Sequence, residues 1–461
     1  MRFDLPAVAS YTNAMSTPSP DTAGPWPRCP EAAAYFQTLF ADFAAQNPLV
    51  AQLAQRFERD AGVDILALVD HWILPPADGL IEKWEALGLV KTTLPEGDAV
   101  WEHPGARLPR LRIKAKRTTP CLALGVESIA AFAAQNQLAI EACHGDAEAG
   151  YQCAHLTLPH GELMPIVRTG YRGFAPQTPP DGLDAARTDF ANRPRTDDEQ
   201  ATIAAAQTLF EKHALALGRG RATEEFFAAE RDYYLARNAA ARWQYARQEA
   251  IGIGWANHDH HTYRCSRAAF PALIRLFVAM GFLCRERFYA GAEAGWGAQV
   301  LEHPESRVVI FADVDIAPEE LDLDFASVEL VPRETLGTIG LWCALHGSSI
   351  ARAGMHHIEC EFLCQRVKDD AIAAGFGVMA PFTELPMLWQ AFTVGELWPV
   401  PQERLAPLVT AGQLTGEQAE KFATVGALGS HLEILQRWEG FKGFNKTAVS
   451  NIIRDTDARK N

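Results

Sequence analysis

The stretch WANHDHHTYRCSRAAFPALIRLFVAMGFL (residues 255–283) decides how this chain is read. HDHHTYR alternates in character with period two, as a half-buried strand does. FPALIRLFVAMGF then carries apolar residues at helical spacing and stops at Gly281, so a helix follows the strand. Further on, VLEHPESRVVIFAD (300–313) places Glu-His-Pro before another apolar run. The same succession stands earlier in the chain, as ALVDHWILPPADGLIEKWEALGLV (67–90) and VWEHPGARLPRLRI (100–113). His71 precedes His103 by 32 residues, and His260 precedes His303 by 43. A further histidine with alternating apolar neighbours follows in each copy, in AHLTLP (154–159) and HHIECEF (356–362). Four landmarks in one order at similar spacing mark an internal repeat.

The repeat predicts an N-terminal half over 1–180 and a C-terminal half over 246–461. Between them, 181–245 is rich in Ala, Glu and Arg and reads as bridging helices. Strand–helix–strands units imply an α+β fold, with helices packed on one side of mixed or antiparallel sheets.

The 461 residues are 48% hydrophobic and 21% charged, which suits a folded protein and excludes disorder and collagen. A net charge of −15 leaves no global footprint for nucleic acid or an anionic membrane. No apolar run reaches the roughly 18 residues of a membrane span. The N-terminus lacks the pattern of a signal peptide, so a cytoplasmic protein is expected. The nine cysteines are odd in number and irregularly spaced, as reduced core residues are.

Histidines concentrate the chemistry. Seven of the 14 stand at 258, 260, 261, 346, 356, 357 and 431. Strict alternation would place His258, His260, Thr262 and Arg264 on one strand face, an imidazole with a guanidinium four residues on. Imidazole suits Fe, Zn, Ni and Cu, and arginine clamps carboxylates bidentately. In HHIECEF the strand register selects His357 over His356, with Glu359 and Glu361 as rival carboxylates on its face. In HLEILQR (431–437), His431 and Glu433 share a face and Arg437 follows. Two histidines and a carboxylate from three strands are the ligand set of mononuclear non-haem Fe(II) oxygenases.

HDHHTYR, HHIECEF and HLEILQRWEGFKGFNKTAVSNIIRDTDARK together resemble the 2-oxoadipate dioxygenase/decarboxylase family of the vicinal-oxygen-chelate superfamily. The resemblance spans roughly 250–461 and reaches the N-terminal half only through the repeat. It implies tandem βαβββ modules forming a curved, mixed or antiparallel sheet with added helices. It also implies Fe(II) held by His260, His357 and Glu433, with Arg264 gripping a substrate carboxylate and Arg437 as a second such group. The implied reaction joins a small 2-oxo acid with O2, giving a hydroxy acid and CO2. The aromatic pair that precedes the glutamate in the family is His431 and Leu432 here.

Pro75 stands where the C-terminal copy has Arg264, and no clear counterpart of HLEILQRW follows His155. The first half is therefore expected to be a structural copy, and the two Glu-His-Pro segments to mark a shared turn. Two other classes remain open. One is a redox-neutral metal-dependent isomerase, lyase or hydrolase, which an extra carboxylate ligand would favour. The other is a non-catalytic small-molecule binding protein.

Overall fold

The computed structural model describes residues 26–94, 96–140, 142–290, 294–381, 385–444 and 456–460. Two helices the sequence reading did not anticipate, α1 (Pro30–Gln46) and α2 (Pro48–Ala61), lead into the first half. There follow β1 (Val69–Leu74), α3 (Leu80–Ala86), β2 (Val90–Thr93), β3 (Ala99–Glu102) and β4 (Arg110–Ile113). A second unit repeats the pattern with β5 (Cys121–Gly125), α4 (Ile129–Asn136), β6 (Ala142–Asp146), β7 (Tyr151–Leu158) and β8 (Gly161–Arg168). Together they make one mixed sheet in the order β2-β3-β4-β1-β5-β8-β7-β6.

Four helices bridge to the second half: α5 (Leu183–Ala191), α6 (Glu199–Leu217), α7 (Arg219–Leu235) and α8 (Ala239–Ala250). The third unit is β9 (His258–Arg264), α9 (Phe270–Met280), β10 (Leu283–Tyr289), β11 (Trp296–Glu302) and β12 (Val309–Asp315). After α10 (Thr338–His346) come β13 (His357–Glu361), α11 (Cys364–Ala373) and β14 (Leu388–Phe392). A small excursion carries β15 (Leu397–Trp398), α12 (Gln402–Thr410), α13 (Gly416–Thr424) and β16 (Ala427–Leu428) before β17 (His431–Arg437). The second sheet runs β10-β11-β12-β9-β13-β17-β14. It is the first sheet over again, without a counterpart of β6 among the described residues.

Pairing directions repeat as well. β1 is parallel to β4 and antiparallel to β5, which is parallel to β8. In the same way β9 is parallel to β12 and antiparallel to β13, which is parallel to β17. The fold is thus α+β with tandem βαβββ units, as expected. One correspondence changes. AHLTLP lies on β7, the counterpart of β14, whereas the counterpart of HHIECEF is CLALG on β5. A period of two is common to every half-buried strand and cannot say which strand is which. The register also supplies the missing match for HLEILQR. It is ELMPIVR, so Glu162 answers to His431, Met164 to Glu433 and Arg168 to Arg437.

The Glu-His-Pro segments are a turn, built alike in both copies. His303 Nδ1 accepts from the Glu305 and Ser306 amides, and His103 Nδ1 from the Gly105 amide. Gly88 and Gly281, both at positive φ after their helices, lie under these imidazoles, where a Cβ would come within 2.7 and 2.8 Å of Nε2. Glu102 and Glu302 bind Arg172 and Lys442 in the loops that follow β8 and β17.

One continuous apolar core joins the two halves through the bridging helices. Phe227 on α7 stacks on His261 with ring centroids 5.4 Å apart, and the Tyr234 hydroxyl donates to the His431 carbonyl. The bridging helices therefore cover one face of the second sheet, and the candidate site lies on the other. All nine cysteines are free. Among the described residues, no helix is long and apolar enough to cross a membrane.

Candidate metal centre

The site begins with a bulge. The register of β9 against β13 slips between His260 and His258, leaving Asp259 as the extra residue. A bulge interrupts alternation and re-aims side chains. His258 accordingly does not share the face of His260, and its ring lies 4.2 Å from that of His261 on the helix-packed side. The freed Asp259 sits beside His260, with Oδ1 2.7 Å from Nδ1.

Arg437 holds that aspartate in place. Its Nε donates to Asp259 Oδ2 at 2.9 Å, and its NH1 donates to the carbonyls of Phe441 and Gly443. Arg168 makes the same set of bonds to Asp70, Tyr171 and Gly173 in the first half. Arg437, expected from the sequence as a substrate-binding group, has these donors engaged by the bulge and the following loop. Arg107 reaches across from the first half, with NH1 3.0 Å from Asp259 Oδ2 and Nε donating to Glu361 Oε2. Glu361 is thereby paired away from the site. Burial opposes ionisation of Asp259, but the Arg107 and Arg437 guanidiniums hold its carboxyl well below the usual range.

An anionic Asp259 accepts a hydrogen bond from Nδ1–H of His260, which leaves the lone pair on Nε2. That nitrogen abuts Oε2 of Glu359. His357 Nε2 lies 2.9 Å from Glu359 Oε1 and 3.5 Å from Glu433 Oε2. Gln390 donates to Glu433 Oε1 at 2.7 Å. Ligand-type atoms of His260, Glu359 and Glu433 all lie within 4.8 Å of one another, and the same holds for His356, His357 and His431. His431 Nε2 is 3.0 Å from His357 Nδ1, so His431 serves to orient the His357 ring.

All these groups are buried. Burial lowers His260 to about 4 against the pull of Asp259, and lowers His431 to about 3. Burial raises the Glu433 carboxyl to about 7, and burial together with Glu433 pushes Glu359 well above the usual carboxylate range. Neutral imidazoles turned toward a pair of buried carboxyls form an acceptor-rich pocket, which is stable only with protons or a cation inside it. Imidazole nitrogens mixed with carboxylate oxygens suit Fe(II), Zn(II), Mn(II) or Co(II). The residues therefore fit a divalent metal.

The structure brings His260, His357 and Glu433 together and adds Glu359. Arg264 stands at the far end of β9, opposite Asp313 on β12, with its guanidinium carbon 5.4 Å from the Trp342 ring. Both side chains are buried, yet Arg264 Nε and Asp313 Oδ1 have no hydrogen-bond partner. Burial lowers Arg264 to about 10 and raises Asp313 to about 8. The Arg264 charge acts on His356, His357 and His431, which places it beside the histidines.

The first half has lost this chemistry position by position. Ala123 occupies the register of Glu359, Cys121 that of His357, and Met164 that of Glu433. His71 keeps its aspartate, with Nδ1 2.6 Å from Asp70 Oδ2. Its ring meets Phe174 at 4.8 Å, and Phe174 is in turn covered by Arg110, Arg112 and Arg168.

Sequence reasoning missed Asp259, Arg107, Gln390 and Asp313. The first two had a signal, since an aspartate precedes the histidine in both copies and both turns read Glu-His-Pro-x-x-Arg. Gln390 and Asp313 enter through sheet register alone.

No family profile and no curated protein sequence matches the chain. Among solved structures, a triple mutant of 4-hydroxymandelate synthase from Streptomyces coelicolor is similar over 85% of this chain and 96% of its own, at 12% identity and TM-score 0.27. Methylmalonyl-CoA epimerase from Mycobacterium tuberculosis is similar over 40% of this chain and 89% of its own, at 12% identity and TM-score 0.23. A variant epimerase from Streptomyces coelicolor covers 39% and 96%, at 13% identity and TM-score 0.22. At these values the matches assign no activity, ligand or residue role to this chain.

Proposed function

We propose that the chain is a metal-dependent dioxygenase/decarboxylase of a 2-oxo acid, with Fe(II) held by His260, His357 and Glu433. One observation carries the reading: these three side chains, from three strands of the second sheet, converge with Glu359 in a buried pocket. Bound there, Fe(II) would supply Lewis acidity toward the 2-oxo-carboxylate group and redox chemistry with O2. The overall reaction is 2-oxo acid plus O2 giving CO2 and a hydroxy acid one carbon shorter. The chain's own residues bind and orient. Asp259 and His431 fix the two imidazole rings, while Gln390 fixes Glu433. Arg264, with unsatisfied donor capacity, receives a carboxylate of the substrate. Phe311 and Phe444 pack against His260 and keep bulk water from that side. The N-terminal half, 1–180, is proposed as non-catalytic.

The test is reconstitution with Fe(II) and ascorbate, followed with 2-oxoadipate in an oxygen electrode alongside CO2 release. Coupled O2 loss and CO2 release support the reading. Turnover under nitrogen with Zn(II) or Ni(II) sinks it. That second outcome belongs to a redox-neutral isomerase, lyase or hydrolase using the metal as a Lewis acid. If His260→Ala and His357→Ala leave metal content unchanged, a non-catalytic binding protein remains.

A further inference from the structure

Glu359 stands closer to the two histidines than the glutamate assigned with them does. Both His260 Nε2 and His357 Nε2 are turned to it, one touching Oε2 and the other 2.9 Å from Oε1. Glu433, by contrast, is 3.5 Å from His357 Nε2 and has one oxygen engaged by Gln390. The His260 contact is informative about what belongs there. Its Nδ1–H donates to Asp259, so an unprotonated nitrogen faces a carboxylate oxygen that accepts no hydrogen bond among the described residues. Two acceptors in a buried contact repel one another unless a cation or proton lies between them. The strand register shows that the carboxylate is not required by the fold, because Ala123 fills the same position of the first sheet.

We propose that Glu359 is a fourth protein ligand to the metal, displaceable by the chelating end of the substrate. The proposal rests on the oxygenase reading and deepens it. A six-coordinate ion with three protein ligands leaves three positions, enough for a bidentate oxoacid and O2. With Glu359 bound only two remain. O2 and a bidentate substrate then fit together only once the Glu359 carboxylate has moved aside. Glu359 would thus occupy the position that O2 needs beside a bidentate substrate, until the substrate displaces it.

The experiment compares wild type, Glu359→Ala and Glu359→Gln. Apparent Co(II) affinity is measured by chelator competition, and the Co(II) visible spectrum is recorded. The Co(II) spectrum is then recorded again with 2-oxoadipate added. Thermal melts of the metal-free proteins check the fold, and alanine is already compatible with this register in the first sheet. The expected result is at least a tenfold loss of Co(II) affinity and an altered spectrum in Glu359→Ala. With 2-oxoadipate added, the wild-type and Glu359→Ala spectra should converge, because the substrate has displaced the carboxylate. Glu359→Gln, which offers a neutral oxygen, should fall between the two. Unchanged or tighter affinity with an unchanged spectrum in Glu359→Ala overturns the proposal while leaving the metal reading intact. Failure of the wild type to take up Co(II) or Fe(II) overturns both.

Discussion

At the scale of single residues, the site depends on groups that never touch a ligand. Asp259 fixes the tautomer of His260, and such outer partners typically contribute 10–100-fold to metal affinity. Asp259→Asn should weaken Co(II) binding by that order in chelator competition, while His71→Ala, in the copy where Ala123 and Met164 stand at the registers of Glu359 and Glu433, should leave it unchanged. Equal losses in both variants would mean that the assignment of halves is wrong. The carboxyls add a pH dependence of definite sign. Burial raises Glu433 to about 7, and a metal needs it ionised. Affinity should therefore fall as pH drops below about 7, by about tenfold per unit for each proton displaced. A titration between pH 5.5 and 8 checks this, and a flat profile contradicts it. Arg264→Ala should keep the metal and raise the Michaelis constant for the oxoacid.

At the scale of elements, the repeated turn is the most exposed to test. Gly281 sits at φ 108° with a Cβ position 2.8 Å from His303 Nε2, whereas Gly79 sits at φ 72° with open space around it. Alanine at Gly79 meets only backbone strain, about 1 kcal/mol. Alanine at Gly281 adds the collision with the imidazole and should cost about 2–4 kcal/mol in urea unfolding. Equal losses at the two sites would refute the packing of glycine under histidine. This turn was legible in the sequence because Gly, Glu, His and Pro recur as identities. So were the strands of HDHHTYR and HHIECEF, and with them His260, His357 and Glu433. Strand correspondence was not legible. Met164 and Glu433 share a register position but no chemistry, so ELMPIVR gave no sign that it matched HLEILQR. The role of Arg437 was hidden for a related reason, since its partner Asp259 comes into reach only through a bulge that strict alternation does not anticipate.

At the scale of the whole molecule, the two halves meet at the candidate site as well as in the core. Arg107, in the first half, braces Asp259 and Glu361 in the second. Arg107→Ala should lower Co(II) affinity although it lies on the half without metal-ligand positions. The fold also carries neutral buried histidines outside the site, which makes it sensitive to acid. Burial lowers His71 and His303 to about 4 each. Unfolded, they titrate near 6.5, so the unfolded chain binds more protons between those values. These two imidazoles should thus withdraw stability from the metal-free protein as pH falls from about 6.5 to about 4, by up to about 1.4 kcal/mol per unit each, against the opposite contribution of the raised Glu433 and Asp313 carboxyls. Urea midpoints of wild type and His303→Gln across that range measure it, and parallel pH profiles contradict it.

The central claim is that one half of a duplicated fold kept a metal centre and the other filled its copy with apolar side chains. Metal content by mass spectrometry after anaerobic Fe(II) loading tests it most directly. The account predicts one iron per chain in the wild type and in His71→Ala, and a loss of bound iron in His260→Ala and in His357→Ala. Two irons per chain, or one that survives His260→Ala and disappears in His71→Ala, would contradict it.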